Sequence, residues 1–227
     1  MSIHLAVADA WGSFIVSIMG GRWFLISIGL YSLMVAVGMD AYESVCSVFN
    51  KLCPQLVPKP LWGVSLAKLA RMGTSELSLL GLEPRVAGRL KSFWLALPRD
   101  KCVICGSKAS DIDEFWSYHV DSGRGLARLV SLRSLCEKCH LAKHIGYANV
   151  TGRLNEALEH LARINNSTLS DVYTHLGKIY ETWESLSSIT SWRVEISEGV
   201  LPGDIRAEVE KALNKLLEKN KWRRRNL

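Results

Sequence analysis

The stretch Leu135-Cys136-Glu137-Lys138-Cys139-His140-Leu141-Ala142-Lys143-His144 decides the fold, because it combines half of a four-ligand metal site with the start of a histidine-bearing helix. Its C-x2-C pair has a counterpart upstream, Cys102/Cys105, in Lys101-Cys102-Val103-Ile104-Cys105-Gly106. A tetrahedral zinc needs four soft or borderline ligands converging from two chain segments, and two knuckles of this kind supply them. The chain has 6 cysteines in all, so four of them arranged as two C-x2-C pairs are its strongest chemical signal. Two thioredoxin-like redox pairs, or two unrelated disulfides, are the competing reading. Neither pair opens a helix after a parallel strand, and nothing resembles a cleaved secretory signal, so a structural Zn2+ site is expected.

Between the knuckles, Asp111-Ile112-Asp113-Glu114-Phe115-Trp116-Ser117-Tyr118-His119 alternates enough to be a strand, and Asp121 to Gly125 reads as a turn. Leu126, Leu129, Leu132 and Leu135 follow on a short second strand or loop that enters the second knuckle. A helix expected from Cys139 places His140 and His144 one turn apart on a common face. Two strands and a helix pinned by zinc therefore hold an acidic strand end against two histidines. Such a constellation chelates a hard divalent ion and aims it at a phosphate oxygen.

Composition bounds the rest. A chain of 227 residues, 48% hydrophobic and 22% charged, buries one core of ordinary size plus an accessory segment and is not a disordered tail. Its formal net charge of +6 is partly gathered at the C-terminus, where Lys219, Lys221, Arg223, Arg224 and Arg225 surround Trp222. Positive charge of this kind attracts phosphate polymers or anionic headgroups, and the plainer reading is a solvated end. Cys46 and Cys53 read as small apolar residues or free thiols with no role. With no disulfide framework in view, a reducing compartment is expected.

The first forty residues are of different material. From Ala10 to Met39 the only charge is Arg22, and residues 23–39 are uncharged and rich in Leu, Ile, Val and aromatics. That is near the lower length limit for a membrane-spanning helix, so residues 23–39 are a possible membrane anchor, with the zinc domain facing the cytoplasm. Two alternatives stand beside it: a helix packed on the domain, and a hairpin turning at Gly20-Gly21 with strands Ser13–Met19 and Arg22–Ile28.

Pro54, Pro58 and Pro60 then mark an extended linker or wrapping arm. Helical spacing is read over Leu66–Leu82 and Val86–Leu97, over the Leu154-to-Ile164 and Val172-to-Leu186 stretches with Ser170 as N-cap, and over Asp204–Lys219. The organisation expected is a hydrophobic N-terminal segment (1–40), a Pro-rich linker (41–62), a zinc domain with flanking helices (63–200), and an amphipathic helix with a basic tail (201–227). The fold class is α+β, mostly helical, with a hydrophobic N-terminal helix.

Cys-Val-Ile-Cys-Gly, Asp-Glu-Phe-Trp-Ser-Tyr and the run from Leu129 through Cys136, Cys139, His140 and His144 to Arg153 together resemble the ββα-metal fold of HNH endonucleases with a four-cysteine zinc site. The likeness runs from Val57 to Trp192. It implies Cys102, Cys105, Cys136 and Cys139 as structural zinc ligands, His140 as a ligand of a catalytic Mg2+ or other divalent ion, and His144 as a second helix histidine near the phosphate. The family's general-base histidine precedes the Glu-x-Trp element, and here that position is Asp113. An aspartate of ordinary pKa near 3.9 is a far weaker base than imidazole near 6.5. Three rescues are open: Asp113 is a metal ligand together with Asp111 and a metal-bound water needs no separate base, burial raises the Asp113 pKa unless a nearby cation lowers it again, or His119 takes the vacant role. The resemblance thus implies hydrolysis of DNA phosphodiester bonds by a metal-activated water, weakened or lost at Asp113, with Lys221, Arg223, Arg224 and Arg225 as candidate nucleic-acid contacts. The alternative is a noncatalytic zinc-stabilised module that binds nucleic acid or a protein partner.

Overall fold

The computed structural model describes residues 4–9, 12–19, 22–26 and 40–225, with side chains described over 40–221. Strands β1 (His4–Asp9), β2 (Gly12–Met19) and β3 (Arg22–Ile26) form an antiparallel meander in which Met19 pairs with Arg22 across Gly20-Gly21. The hairpin alternative therefore describes this segment as far as Ile26. Of the possible span 23–39, Trp23 to Ile26 belong to β3, and residues 27–39 lie outside the described residues. Among the described residues no helix is long and apolar enough to cross a membrane.

The rest is an α+β body. After a single turn of helix, α1 (Glu43–Cys46), the chain carries the Pro-rich arm, which ends in a 3-10 turn at Lys59–Leu61. The arm wraps the domain: Leu52, Leu56 and Leu61 are buried in the common core, and the Val57 carbonyl accepts hydrogen bonds from Trp62 Nε1 and Trp183 Nε1, both at 2.9 Å. Cys46 and Cys53 are joined in a disulfide, which corrects the expectation of free thiols. Their spacing closes a small loop at the root of the arm, where a cross-link restricts the unfolded chain.

Helices α2 (Leu66–Arg71), α3 (Thr74–Leu79) and α4 (Pro84–Ala96) follow. The single helix expected over Leu66–Leu82 is two, because the chain extends at Met72-Gly73 and Gly73 begins a new N-terminus with Glu76 bonded back to its backbone N–H at 3.0 Å. The central hairpin, β4 (Asp111–Asp121) and β5 (Arg124–Leu135), turns at Ser122-Gly123, both with positive φ. Helices α5 (Glu137–Lys143), α6 (Ile145–Val150), α7 (Leu154–Asn165) and α8 (Leu169–Ser188) come next. The cap of α8 is Thr168 rather than Ser170: its hydroxyl accepts from Asp171 N–H, and the Asp171 carboxylate accepts from Thr168 N–H in return, satisfying two orphan donors.

Strand β6 (Ser191–Ile196) was not expected from sequence. It lies parallel to β5, giving the order β4-β5-β6. Trp192 packs so closely on Gly125 that a Cβ there would stand 2.4 Å from the indole, which explains the glycine. The final helix α9 (Gly203–Arg225) runs along β6 and buries Ile205, Val209, Ala212, Leu213, Leu216 and Leu217 in the common core. Its Asn214 carboxamide bonds Val194 N–H and C=O at 2.9 and 2.8 Å, and Glu210 accepts from Ile196 N–H, so side chains satisfy the outer edge of β6.

Candidate metal centre

Both knuckles are turns that hand their cysteines to one point. Cys102 N–H donates to Ser107 O, and Gly106 N–H closes back on Cys102 O at 2.9 Å with Gly106 at φ +75°, a turn that favours glycine. The second pair sits at the N-terminus of α5, where His140 N–H donates to Cys136 O. Val103 N–H to Ser134 O ties the first knuckle to the end of β5. The four sulfurs of Cys102, Cys105, Cys136 and Cys139 lie within 4.8 Å of one another, close enough to hold a metal such as zinc.

Without a cation the cluster resists full ionisation. Burial and the surrounding sulfurs push the Cys139 thiol far up, and burial likewise raises Cys136. Burial raises Cys105 too, but hydrogen bonds from Ser107 outweigh it and bring that thiol down to about 6. Four thiolates are tenable together only around positive charge. Cys139 Sγ also stands 3.1 Å from Nε2 of His160, a buried side chain on α7. In the sequence His160 reads as a satisfied surface or core histidine, since it has no ligand spacing to any cysteine, and it reaches the cluster through helix packing.

The second cluster lies at the other end of α5. Asp113, His140 and His144 bring their ligand atoms within 4.8 Å of one another. The histidines meet edge to face with ring centroids 4.8 Å apart. Asp111 stands aside: its exposed carboxylate is 3.6 Å from His140 Nδ1, suited to orienting that ring. The carboxylate of Asp113 is buried and surrounded by donors, with Lys143 Nζ at 2.6 and 2.7 Å from its two oxygens, Arg133 at 3.0 Å and His144 Nε2 at 3.2 Å. Burial alone would raise Asp113; the His144 hydrogen bond and the Lys143 charge reverse that and hold it well below the usual carboxylate range. Lys143 is itself buried, and its ammonium also donates to the Glu114 carbonyl at 2.7 Å. Burial pulls that ammonium down, and the Asp113 carboxylate opposes the shift. Burial also lowers His140, with the neighbouring His144 adding to it, which keeps the imidazole neutral as a metal ligand requires.

Glu114 faces the other way. Its carboxylate accepts from Leu66 and Ala67 N–H at 3.1 and 2.7 Å and from Trp116 Nε1 at 3.2 Å, fixing the first turn of α2 against the hairpin. Burial raises its carboxyl despite those donors. A cavity of about 300 Å3 opens between the arm, α4 and the sheet, with Asp111, Asp113, His140 and His144 among its lining.

His119 is not part of this centre. It lies six residues along β4 from Asp113, on the order of 20 Å of strand, and its Nε2 meets Ser117 Oγ at 3.1 Å. Lys221 pairs with Glu218 at 2.7 Å, while the side chains of Arg223, Arg224 and Arg225 lie outside the described residues. Arg133 and Lys143 were missed in the sequence. The hairpin register places Arg133 directly across from Asp113, but only once the turn is known. No family model matches the chain, and no curated protein or solved structure matches it either.

Proposed function

We propose that the chain is a zinc-stapled, divalent-metal-dependent phosphodiesterase of the HNH type that hydrolyses DNA, with Asp113, His140 and His144 holding the catalytic ion and the four cysteines holding Zn2+. The observation that carries this reading is the convergence of those three side chains in the lining of one cavity, on a hairpin and helix clasped by the tetracysteine cluster. The donor set suits Mg2+ poorly and Mn2+ or a later divalent metal better, since imidazole favours the transition metals. When bound, such an ion polarises a phosphoryl oxygen and lowers the pKa of water beside it.

The residues of the chain then have separate tasks. His140, turned by Asp111, and His144 would supply nitrogen ligands. Asp113 supplies negative charge, and held ionised by Lys143 and Arg133 it is a poor proton acceptor. The site thus lacks a dedicated base, which costs on the order of 10² to 10⁴ in rate, so slow turnover is the expected behaviour. Nicking of supercoiled plasmid in Mn2+ or Mg2+ tests the proposal: the native chain cuts, and His140→Ala does not.

A second reading is favoured by one contact. Lys143 already neutralises Asp113 from inside the domain, so an ion there competes with an ammonium. If zinc-loaded protein binds DNA and cuts in no metal, the chain is a noncatalytic nucleic-acid-binding module.

A further inference from the structure

The cavity beside the triad is deeper than an ion needs. Its inner wall is formed by Val64, Trp94, Trp116, Tyr118, Ala127 and Val194, all buried. Its lining also includes Arg71, which is exposed, and Arg99, whose two terminal nitrogens donate to the carbonyls of Leu97 and Trp94 at 3.0 and 3.4 Å and so hold the guanidinium at the end of α4. The floor is thus aromatic and aliphatic, and the charged lining is cationic apart from the acidic end of β4. A volume of about 300 Å3 lies at the small end of pockets for organic ligands.

One polar group within this lining has spare capacity. Gln55 is buried, and its Nε2 donates to the Trp116 carbonyl at 2.6 Å. Because a carbonyl only accepts, that contact fixes which end of the carboxamide is the amide. The Oε1 acceptor makes no hydrogen bond among the described residues. Oε1 is not among the fully enclosed unpartnered atoms, so it keeps access to solvent and is free to accept a hydrogen bond from a ligand in the cavity.

We propose that this cavity receives a single unstacked nucleobase, with its 5′-phosphate directed to Arg71, Arg99 and the His140/His144 edge. The proposal deepens the phosphodiesterase reading by naming its substrate as a strand with an unpaired base. Trp94, Trp116 and Tyr118 contribute aromatic surface to the lining against which any base can pack, and Gln55 Oε1 offers an acceptor for an exocyclic amine or ring N–H. A base inside a duplex reaches such a pocket only after unstacking, at a cost of a few kcal/mol, so single strands and mismatches are preferred over perfect duplex.

The test uses the zinc-loaded full chain without added divalent metal, and reads quenching of tryptophan fluorescence on titration with deoxynucleoside 5′-monophosphates or with deoxyribose 5-phosphate. The expected result is saturable quenching by the nucleotides at concentrations at least tenfold below any response to the sugar phosphate. Ala127→Leu, which fills the floor, weakens nucleotide binding at least tenfold while zinc content is retained. Should that variant fail to fold, the same discrimination is read on the native chain with a single-stranded oligonucleotide and its abasic counterpart. Equal binding of base-bearing and base-free ligands overturns the pocket, even if plasmid is cut. Selective nucleotide binding with no cutting upholds the pocket and refutes the nuclease.

Discussion

Asp113 is a carboxylate whose surroundings decide what chemistry is left to it. With an ammonium, a guanidinium and an imidazole within 3.2 Å it is a fixed negative charge, and its removal leaves Lys143 buried without a counter-ion. Asp113→Asn therefore lowers unfolding free energy in urea by about 3–5 kcal/mol at neutral pH. The pH dependence has a definite sign. The folded value of Asp113 lies below its unfolded value near 3.9, so its contribution is complete above about pH 5 and is lost as pH falls below about 4 through the folded value. Burial moves Glu114 and Asp40 the opposite way, so the native chain alone shows a mixture; the difference between native and Asp113→Asn isolates the term. That difference should shrink in acid, and a constant difference from pH 7 to 3 contradicts the pairing. His160→Ala, which removes the imidazole beside Cys139, should weaken zinc affinity about 10–100-fold in a chelator competition.

The elements differ in how far their sequence discloses them. The β4–β5 hairpin and α5 announce themselves because ligand residues carry their chemistry in their identity, and C-x2-C followed by His-x3-His leaves few geometries. Strand β6 carries an ordinary signal, Trp192, Val194 and Ile196 alternating with Arg193 and Glu195. It is short and isolated between two helices, and its parallel partner lies far upstream. Lys143, Arg133, Gln55 and His160 were not legible as site residues, because each acts through a neighbour supplied by a different element. The arm shows the same limit. Cys46 and Cys53 have unremarkable spacing, yet the 2.03 Å bond between them closes the loop whose Lys51 and Leu52 N–H groups Asn165 Oδ1 accepts at 2.9 and 3.0 Å. Cys53→Ser should cost about 2 kcal/mol, the loop-closure value for a ring this small. Thiol titration of metal-stripped, unreduced protein should find four free thiols, and six would contradict the bond.

Taken as one molecule, the chain builds two sites on a single helix, with the cysteines at its first turn and the histidines at its last. The sheet behind it is edged by α9 and faced by the arm, so the cavity is walled by parts that no single motif predicts. The α+β class and the cysteine cluster were legible in the sequence; the cavity was not, because its walls come from the arm, α4, α5 and both strands of the hairpin as well as β6. Loss of zinc should therefore disturb the histidines as well as the knuckles, and stripped protein should lose divalent-ion binding along with its first metal. The most direct measurement is diffraction from crystals soaked in Mn2+, with anomalous maps recorded at the zinc and manganese absorption edges. A zinc peak among the four sulfurs and a separate manganese peak bounded by Asp113, His140 and His144 are the predicted result. Zinc alone, with Lys143 still against Asp113 and no second ion at any manganese concentration, would contradict it.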